Sequence, residues 1–198
     1  MRIIRAGEYR RMRWKNGGGE TAEIAVSPPG AALDAFDWRI SMARVEADGP
    51  FSLFPGIDRT LLILEGSGVS LAVAGRPAVD LTPASDPLPF PGDVAATARL
   101  IAGPVGDLNV MTRRGRLSHE VTRHRLVAPV DLAIDAQVVL LLCHAGFLRV
   151  ETPAGAALLG PLDSLLAEDR PRGPWHVAAD GVALAVAIEI AVAGAAAA

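Results

Sequence analysis

The chain of 198 residues lacks the features that would assign it to a membrane, a nucleic acid or the secretory pathway. It has no uninterrupted apolar run of about 18 residues, the length that a membrane-spanning helix requires. Its formal net charge is -3 and it has no block of basic residues, so the electrostatic signature of a nucleic-acid-binding protein is missing. No apolar segment follows the charged N-terminal residues, so we expect no secretory signal and a cytoplasmic location.

Cysteine and histidine are also scarce. Cys143 is the single cysteine and follows the apolar run Val138–Leu142, which favours a buried, reduced thiol over a disulfide or a nucleophile. The histidines are scattered among charged and turn segments, at His119, His124, His144 and His176. Such a distribution does not supply the several nitrogen and oxygen donors that Fe, Mn or Zn needs from a protein.

Convincing helical periods are absent as well, and the brief helical candidates are Ala6–Arg10 and Leu162–Glu168. Instead, 20 glycines and 15 prolines separate short apolar runs, which is typical of an all-β chain with many short strands. We predict strands at Thr21–Val26, Trp38–Val45, Phe51–Phe54, Thr60–Leu64, Val69–Val73, Leu108–Thr112, Val138–Cys143, Phe147–Glu151, Ser164–Ala167 and Val182–Ile190.

The stretch Gly49–Gly68 holds a turn, a short strand, a second turn, a buried apolar strand and a glycine-bounded hairpin. This order resembles the first motif of a cupin barrel. A metal-binding cupin has His-x-His and then an acid at these places, whereas this chain has Ser52, Phe54 and Asp58. The second cupin motif also lacks its histidine. We therefore predict a site without metal and without a cofactor.

The two halves of the chain repeat one another loosely. Leu61–Leu71 passes from an apolar strand through a turn of small residues into a second strand, and Val139–Val150 does the same. A turn containing Gly and Asp follows in each half. Repetition of this kind indicates a duplicated unit. We predict a bicupin, with two jelly-roll-like double-stranded β-helix barrels at residues 1–115 and 116–198, the second more divergent.

A glycine-rich loop, Trp14–Gly19, places Lys15 and Asn16 beside three consecutive glycines. Glycine tolerates positive φ and lets backbone N–H groups approach a ligand, so the loop is a candidate anion cradle. It lacks the Lys-Ser/Thr ending of a phosphate-binding loop, and no βαβ pattern follows it, which argues against nucleotide binding. A flexible turn before the strand at Thr21 explains the same residues equally well.

Two predicted strands carry polar side chains at period two. In Trp38–Val45, alternation puts Arg39 and Ser41 on one face. If this face lines a barrel lumen, the planar guanidinium group of Arg39 can bind a carboxylate through two hydrogen bonds. Alternatively, Arg39 faces solvent. In Leu108–Thr112, Asn109 either orients a ligand or satisfies a loop carbonyl.

The chain resembles the HutD/Ves family, small bacterial proteins of the cupin superfamily that are linked to histidine utilisation. The resemblance covers the first 115 residues closely, while the C-terminal half is similar only in its strand pattern. It is carried by Trp14–Gly19 with Thr21, Glu23–Ile24, Trp38–Ala43, Gly49–Ser52, Phe54–Arg59, Leu64–Gly66, Phe90–Asp93 and Asp107–Met111. The family's motif residues fall here on Lys15, Asn16, Arg39, Ser41, Ser52, Phe54, Asp58, Arg59 and Asn109.

The resemblance implies a metal-free protein that senses or buffers an intermediate of histidine breakdown, such as urocanate or a formylated glutamate. We therefore expect a small anionic or carboxylated ligand. The residues expected to bind it are Lys15, Asn16, Arg39, Ser41, Ser52, Phe54, Arg59 and Asn109.

Two other hypotheses remain open. A metal-independent isomerase or lyase would use Asp58 as general base, with Lys15 or Arg59 as electrostatic partner, and this enzyme is the less favoured expectation. Alternatively, the barrels serve a structural or regulatory role and the chain forms a homodimer through exposed strands.

Overall fold

The computed structural model describes residues 1–194, and nearly all of their regular structure is antiparallel β. The chain divides into two compact units, a first unit of Arg10–Leu117 and a second unit that joins Met1–Tyr9 to the residues from Ser118 onward. Residues 195–198, at the end of the expected second barrel, lie outside the described residues. Within the described part of the chain, no helix is long and apolar enough to cross a membrane.

The chain begins with strand β1 (Arg2–Ile4) and a 3-10 helix (Ala6–Glu8), both in the second unit. The first unit then supplies two antiparallel sheets, one of six strands in the order β2-β3-β4-β11-β6-β9 and one of four in the order β5-β10-β7-β8. These strands are β2 (Arg10–Arg13), β3 (Gly19–Ser27), β4 (Trp38–Val45), β5 (Gly49–Pro50), β6 (Ile57–Glu65), β7 (Val69–Val73), β8 (Val79–Leu81), β9 (Leu88–Pro91), β10 (Ala96–Leu100) and β11 (Val105–Arg113).

Apolar side chains from both sheets form the core of the first unit. Leu61 and Ile63 of β6 alternate toward this core, and Val69 and Leu71 of β7 meet them from the four-stranded sheet. Alternate side chains of a strand point to the same face of the sheet, so Leu61 and Ile63 reach this core together, as do Val69 and Leu71.

The second unit also has two antiparallel sheets, in the orders β1-β17-β14-β19-β12 and β13-β18-β15-β16. Its core includes Leu141 and Cys143 of β14 and the buried Trp175 of β18. Cys143 is a buried free thiol, as expected. The remaining strands of this unit are β12 (Leu117–Leu126), β13 (Val130–Asp135), β14 (Val138–Ala145), β15 (Leu148–Thr152), β16 (Gly155–Leu159), β17 (Ser164–Ala167), β18 (Arg172–Ala179) and β19 (Ala183–Val192).

The strand order of the first unit recurs in the second. Adding eight to each label turns β4-β11-β6-β9 into β12-β19-β14-β17, and β5-β10-β7-β8 into β13-β18-β15-β16. The loose repeat seen between Leu61–Leu71 and Val139–Val150 therefore corresponds to equivalent hairpins, β6–β7 and β14–β15.

The first nine residues belong to the second unit rather than to the first. The expected division put them in the barrel of residues 1–115, but β1 pairs with β17 through Arg2↔Leu166. The Tyr9 hydroxyl donates to the carbonyl oxygen of Leu162 and lies 2.8 Å from Ser164 Oγ. Burial raises the pKa of Tyr9 to about 12, so this hydroxyl stays protonated and keeps its role as a donor.

Two local predictions are wrong. Phe51–Phe54 is not a strand; β5 is confined to Gly49–Pro50, and the following backbone is held by single hydrogen bonds such as Phe51 N–H to Ala96 O at 2.9 Å. The brief helical candidate at Leu162–Glu168 is not a helix, because Leu162 occupies a turn with φ of 63° and the strand predicted at Ser164–Ala167 follows it as β17.

Candidate functional site

The register of the six-stranded sheet brings polar side chains from separate parts of the chain into neighbouring rows. Arg39 of β4 lies opposite Met111 of β11, which lies opposite Arg59 of β6. In the next inward-facing row, Ser41 lies opposite Asn109. Residues two apart on a strand share a face, so these side chains all project from the same side of the sheet.

That side of the sheet borders a cavity of about 700 Å³ within the first unit. Its walls include all of the residues that the sequence predicts for ligand binding: Lys15, Asn16, Arg39, Ser41, Ser52, Phe54, Arg59 and Asn109. Apolar side chains line much of the remainder, among them Met12, Trp14, Leu33 and Phe51. A concave, largely apolar space with a few convergent polar groups is the usual form of a small-molecule site.

Arg39 is held in place by Glu23, a residue that the sequence analysis did not single out for the site. Arg39 Nε donates to Glu23 Oε2 at 2.7 Å, and the two side chains are only 5% and 10% exposed. Within the described residues, the two Nη groups of Arg39 make no hydrogen bond. They remain available for a bidentate contact with a carboxylate.

Arg59 takes part in a second buried chain of hydrogen bonds. Its Nε donates to Asn109 Oδ1 at 2.8 Å, and Nη2 donates to the same oxygen. Asn109 Nδ2 in turn donates to Asp107 Oδ1 at 2.7 Å. The guanidinium carbon also lies 4.2 Å from the centre of the Phe51 ring and 5.4 Å from that of Phe90, so the cation is packed against aromatic faces.

Burial shifts the pKa values of the two ionisable groups at the ends of this hydrogen-bond chain, Asp107 and Arg59. Burial raises the pKa of the Asp107 carboxyl to about 7, although Arg59 and hydrogen bonds from Asn109 and Ala43 oppose the increase. Burial also lowers the pKa of Arg59 to about 10, with Asp107 acting in the opposite direction. Arg59 therefore remains a cation at neutral pH, while Asp107 can exist in either protonation state.

The glycine-rich loop forms a closed hairpin connection between β2 and β3. The Gly17 N–H donates to Trp14 O at 3.1 Å, and the Gly18 N–H donates to Asn16 Oδ1 at 3.1 Å. Because these two amides already have hydrogen-bond partners within the loop, they are not available to bind an anion. The side chains of Lys15 and Asn16 are exposed and border the cavity.

Asp58 lies apart from the cavity walls. Its carboxylate accepts a hydrogen bond from Arg114 Nε at 2.7 Å, and its side chain is 47% exposed. Arg114 also bonds to Asp93 at 2.8 Å. Asp58 and Arg59 are consecutive on β6, and consecutive strand residues point to opposite faces. Asp58 therefore does not face Arg59, which is one of the two electrostatic partners, with Lys15, that the enzyme hypothesis assigns to it.

The first motif of the fold presents Ser52 and Phe54 to the cavity where a metal-binding cupin would present histidines. Within residues 1–194, no group of three or more His, Cys, Asp or Glu side chains is arranged to hold a metal ion. The two guanidinium groups that face the cavity favour an anionic occupant.

A model of the HutD family matches residues 6–185 of this chain. Among curated proteins, this chain is 40% identical over 111 residues to an uncharacterised 21.2 kDa protein in the hutC 3' region of Pseudomonas putida. It is 42% identical over 109 residues to the protein Ves of Citrobacter koseri. These matches cover 56% and 54% of this chain and 57% and 56% of the relatives, so the chain spans just over half the length of the curated relatives it matches.

Two solved structures that are about one third identical to this chain match nearly all of it. A conserved protein of unknown function, PA5104 from Pseudomonas aeruginosa PAO1, has a TM-score of 0.89 at 33% identity and covers 96% of this chain and 98% of its own. HutD from Pseudomonas fluorescens SBW25, solved in a formate condition, has a TM-score of 0.80 at 32% identity, with 98% and 99% covered.

More distant structures share the fold alone. AerE from Microcystis aeruginosa has a TM-score of 0.69 at 8% identity and covers 92% of this chain and 96% of its own. The expected all-β, cupin-like fold is confirmed.

Proposed function

This chain belongs to the HutD family, and on that basis we propose that it binds a small carboxylate metabolite in the cavity of its first unit. In this proposal it acts as an accessory or regulatory protein of histidine utilisation rather than as an enzyme. Its relative in Pseudomonas putida is named for the hutC region, and a solved relative is named HutD. Those names motivate the metabolic assignment.

The observation that carries the proposal is the pair of buried guanidinium groups on one wall of the cavity. Arg39 and Arg59 are 4% and 5% exposed, and both border the cavity. Ser41, which is 1% exposed, adds a hydroxyl group from the neighbouring row of the same sheet face. Desolvated charged donors interact strongly with a carboxylate because little water competes with the ligand.

The size and lining of the cavity narrow the ligand class. A space of about 700 Å³ exceeds what a formate ion alone would fill and lies within the range typical of small-molecule sites. Trp14, Phe51 and Phe54 offer apolar surface for the remainder of the ligand. Urocanate joins one carboxylate to a planar imidazole ring, and N-formyl-L-glutamate carries two carboxylates and a formamide on a short aliphatic chain; both are candidate ligands.

Isothermal titration calorimetry with urocanate, N-formyl-L-glutamate and formate tests this function. We expect saturable heat from at least one of the larger carboxylates and weaker binding of formate. No heat from any of the three at millimolar concentration would overturn the proposal.

A matched pair of arginine variants on β4 tests the site. Arg39→Gln should weaken carboxylate binding by about 2–5 kcal/mol, because the variant loses the buried guanidinium cation that pairs with the carboxylate. Glutamine can still donate to Glu23, which limits damage to the fold. Arg44 is exposed and pairs with Glu46 at 2.8 Å, so Arg44→Gln should leave the affinity unchanged. Equal losses in both variants would contradict the assignment of Arg39.

The isomerase or lyase hypothesis gains no support from the position of its proposed base. Asp58 is paired with Arg114 and does not border the cavity. The homodimer stays a prediction, and sedimentation equilibrium would test it.

A further inference from the structure

Asp107 is a buried carboxyl that stands directly behind the polar wall of the cavity. It is 1% exposed and does not itself border the cavity. Its contact with the site runs through Asn109, which donates from Nδ2 to Asp107 and accepts from Arg59 at Oδ1. The amide orientation of Asn109 is fixed by Arg59, because the guanidinium can only donate, so Oδ1 faces Arg59 and Nδ2 faces Asp107.

The charged groups around Asp107 come from the neighbouring strands of its own sheet. Arg59 on β6 acts on Asp107 directly. Arg39 on β4, with its partner Glu23 on β3, lies two inward-facing rows from Asp107 and acts on Arg59. The facing four-stranded sheet contributes apolar side chains to this core, including Leu71 and Ala98. At the edge of the cavity, the exposed charges are those of Arg13, Lys15 and Asp48.

Protonation of Asp107 changes the charge of this buried set. Arg39 and Glu23 neutralise one another at 2.7 Å. When Asp107 is ionised, it compensates Arg59 through the intervening amide, so the buried set has no net charge. When Asp107 is protonated, one positive charge remains at Arg59. The neutral carboxyl keeps a carbonyl oxygen that accepts from Asn109, so the hydrogen-bond chain persists while its charge changes.

We infer that Asp107 is a positioning residue that orients Arg59 through Asn109 and that takes up a proton when an anion binds in the cavity. This inference rests on the proposed function, because it concerns the affinity of the same site. A bound carboxylate places a second negative charge near Asp107 and so favours the protonated form. Binding of the anion and of the proton are then mutually reinforcing, as linkage requires.

The electrostatics of the unliganded site support this inference. Burial has already raised the pKa of Asp107 to about 7, so the carboxyl titrates in the neutral range before any ligand arrives. A further increase on anion binding raises the pKa above neutrality, so a larger fraction of Asp107 is protonated in the complex than in the free protein.

Calorimetry with N-formyl-L-glutamate at about pH 6 and about pH 8.5 tests the inference, because carboxyl groups of the ligand titrate well below this range. We expect the wild-type protein to bind about tenfold more tightly at the lower pH, a magnitude typical of partly screened charges within one protein site. Asp107→Asn should bind with nearly the same affinity at both pH values, close to the wild-type affinity at the lower pH. Asp48→Asn, which removes an exposed carboxylate at the cavity edge, should retain the pH dependence of the wild type.

Two measurements keep the test decisive. Thermal denaturation verifies that Asp107→Asn folds; if it does not, proton uptake by the wild type is measured from binding enthalpies in two buffers of different ionisation enthalpy. Uptake near zero at pH 7, or an Asp107→Asn variant with the wild-type pH dependence, would overturn the inference and leave the proposed function intact. Absence of binding by any carboxylate would overturn the proposed function itself and this inference with it.

Discussion

Glu23 balances the charge of Arg39 inside a space from which most water is excluded, and both side chains are nearly buried. Glu23→Gln keeps an oxygen that can accept from Arg39 but removes the compensating charge. We expect the free energy of unfolding to fall by about 1–3 kcal/mol, as for other buried charged hydrogen bonds. We also expect carboxylate affinity to increase, because the guanidinium charge is no longer neutralised. Urea denaturation and calorimetry measure the two effects.

A second glutamate on the same strand provides the control. Glu20 pairs with Arg11 at 2.8 Å, and its side chain is 30% exposed while that of Arg11 is 59% exposed. Glu20→Gln should change the free energy of unfolding by less than about 1 kcal/mol and leave affinity unaltered. Lower affinity in Glu23→Gln would show that Glu23 supports ligand binding through orientation rather than opposing it through charge.

The polar residues of the cavity are only partly predictable from sequence. Arg39, Ser41 and Asn109 stand out because polar side chains at period two interrupt apolar strands. Asp107 shows the same pattern of a polar side chain in an apolar strand, since it shares a strand face with Asn109. Glu23 is likewise a polar residue within a strand. Their partnerships with Arg39 and Arg59 are not predictable, because these depend on the pairing of strands that are distant in the chain.

The β2–β3 hairpin depends on close backbone packing at one of its glycines. A Cβ at Gly19 would lie 2.2 Å from Arg44 O and 3.2 Å from the Trp14 ring. Gly17 has φ of 71°, but a Cβ added there would meet no atom within 4 Å. Gly19→Ala should therefore lower the free energy of unfolding by at least about 2 kcal/mol, and Gly17→Ala by about 1 kcal/mol. Urea denaturation of both variants checks this order, and the reverse order would contradict it.

Among the strands, those with regularly spaced buried apolar residues are predictable and those with charged exposed faces are not. The predicted strands Trp38–Val45 and Val69–Val73 have the same bounds as β4 and β7. In contrast, no strand is predicted over Ser118–Arg125, yet these residues form most of β12. Their side chains are exposed or half-buried, so the hydrophobic alternation that identifies a strand is weak even though their backbone pairs within a sheet.

The two units share a strand order but differ in their inward-facing polar residues. A β-bulge interrupts the β11–β6 pair and the β19–β14 pair at corresponding places. Matching the two bulges shows which residues of the two units are equivalent. Asn109 opposite Leu61 then corresponds to Ala187 opposite Leu141. Likewise, Asp107 opposite Ile63 corresponds to Ala185 opposite Cys143. The hydrogen-bond chain of the first unit therefore has no counterpart of the same chemistry at these positions of the second, which supports placing ligand binding in the first unit.

At the second unit, Asp163 joins the beginning of the chain to the turn before β17. It accepts hydrogen bonds from Arg5 Nη1 at 2.7 Å, the Ala6 N–H at 3.0 Å and the Gly160 N–H at 3.0 Å. Burial acts to raise its pKa, but the hydrogen bonds from Ala6, Arg5 and Gly160 together hold the pKa below its ordinary value. The ionised form is therefore favoured in the folded state.

Replacement of Asp163 should consequently have a pH-dependent effect on the second unit. Because the folded-state pKa is depressed, the carboxylate stabilises the fold above the unfolded-state pKa of about 3.9, and this contribution is lost as pH falls through the folded-state value. Asp163→Asn should accelerate hydrogen exchange of the β1 and β17 amides at pH 7, with a free-energy difference of about 1–3 kcal/mol. As pH falls below the unfolded-state pKa, the difference should shrink. Exposed Asp169 gives the control, since Asp169→Asn should leave exchange unchanged, and a pH-independent effect of Asp163→Asn would contradict the role assigned to its charge.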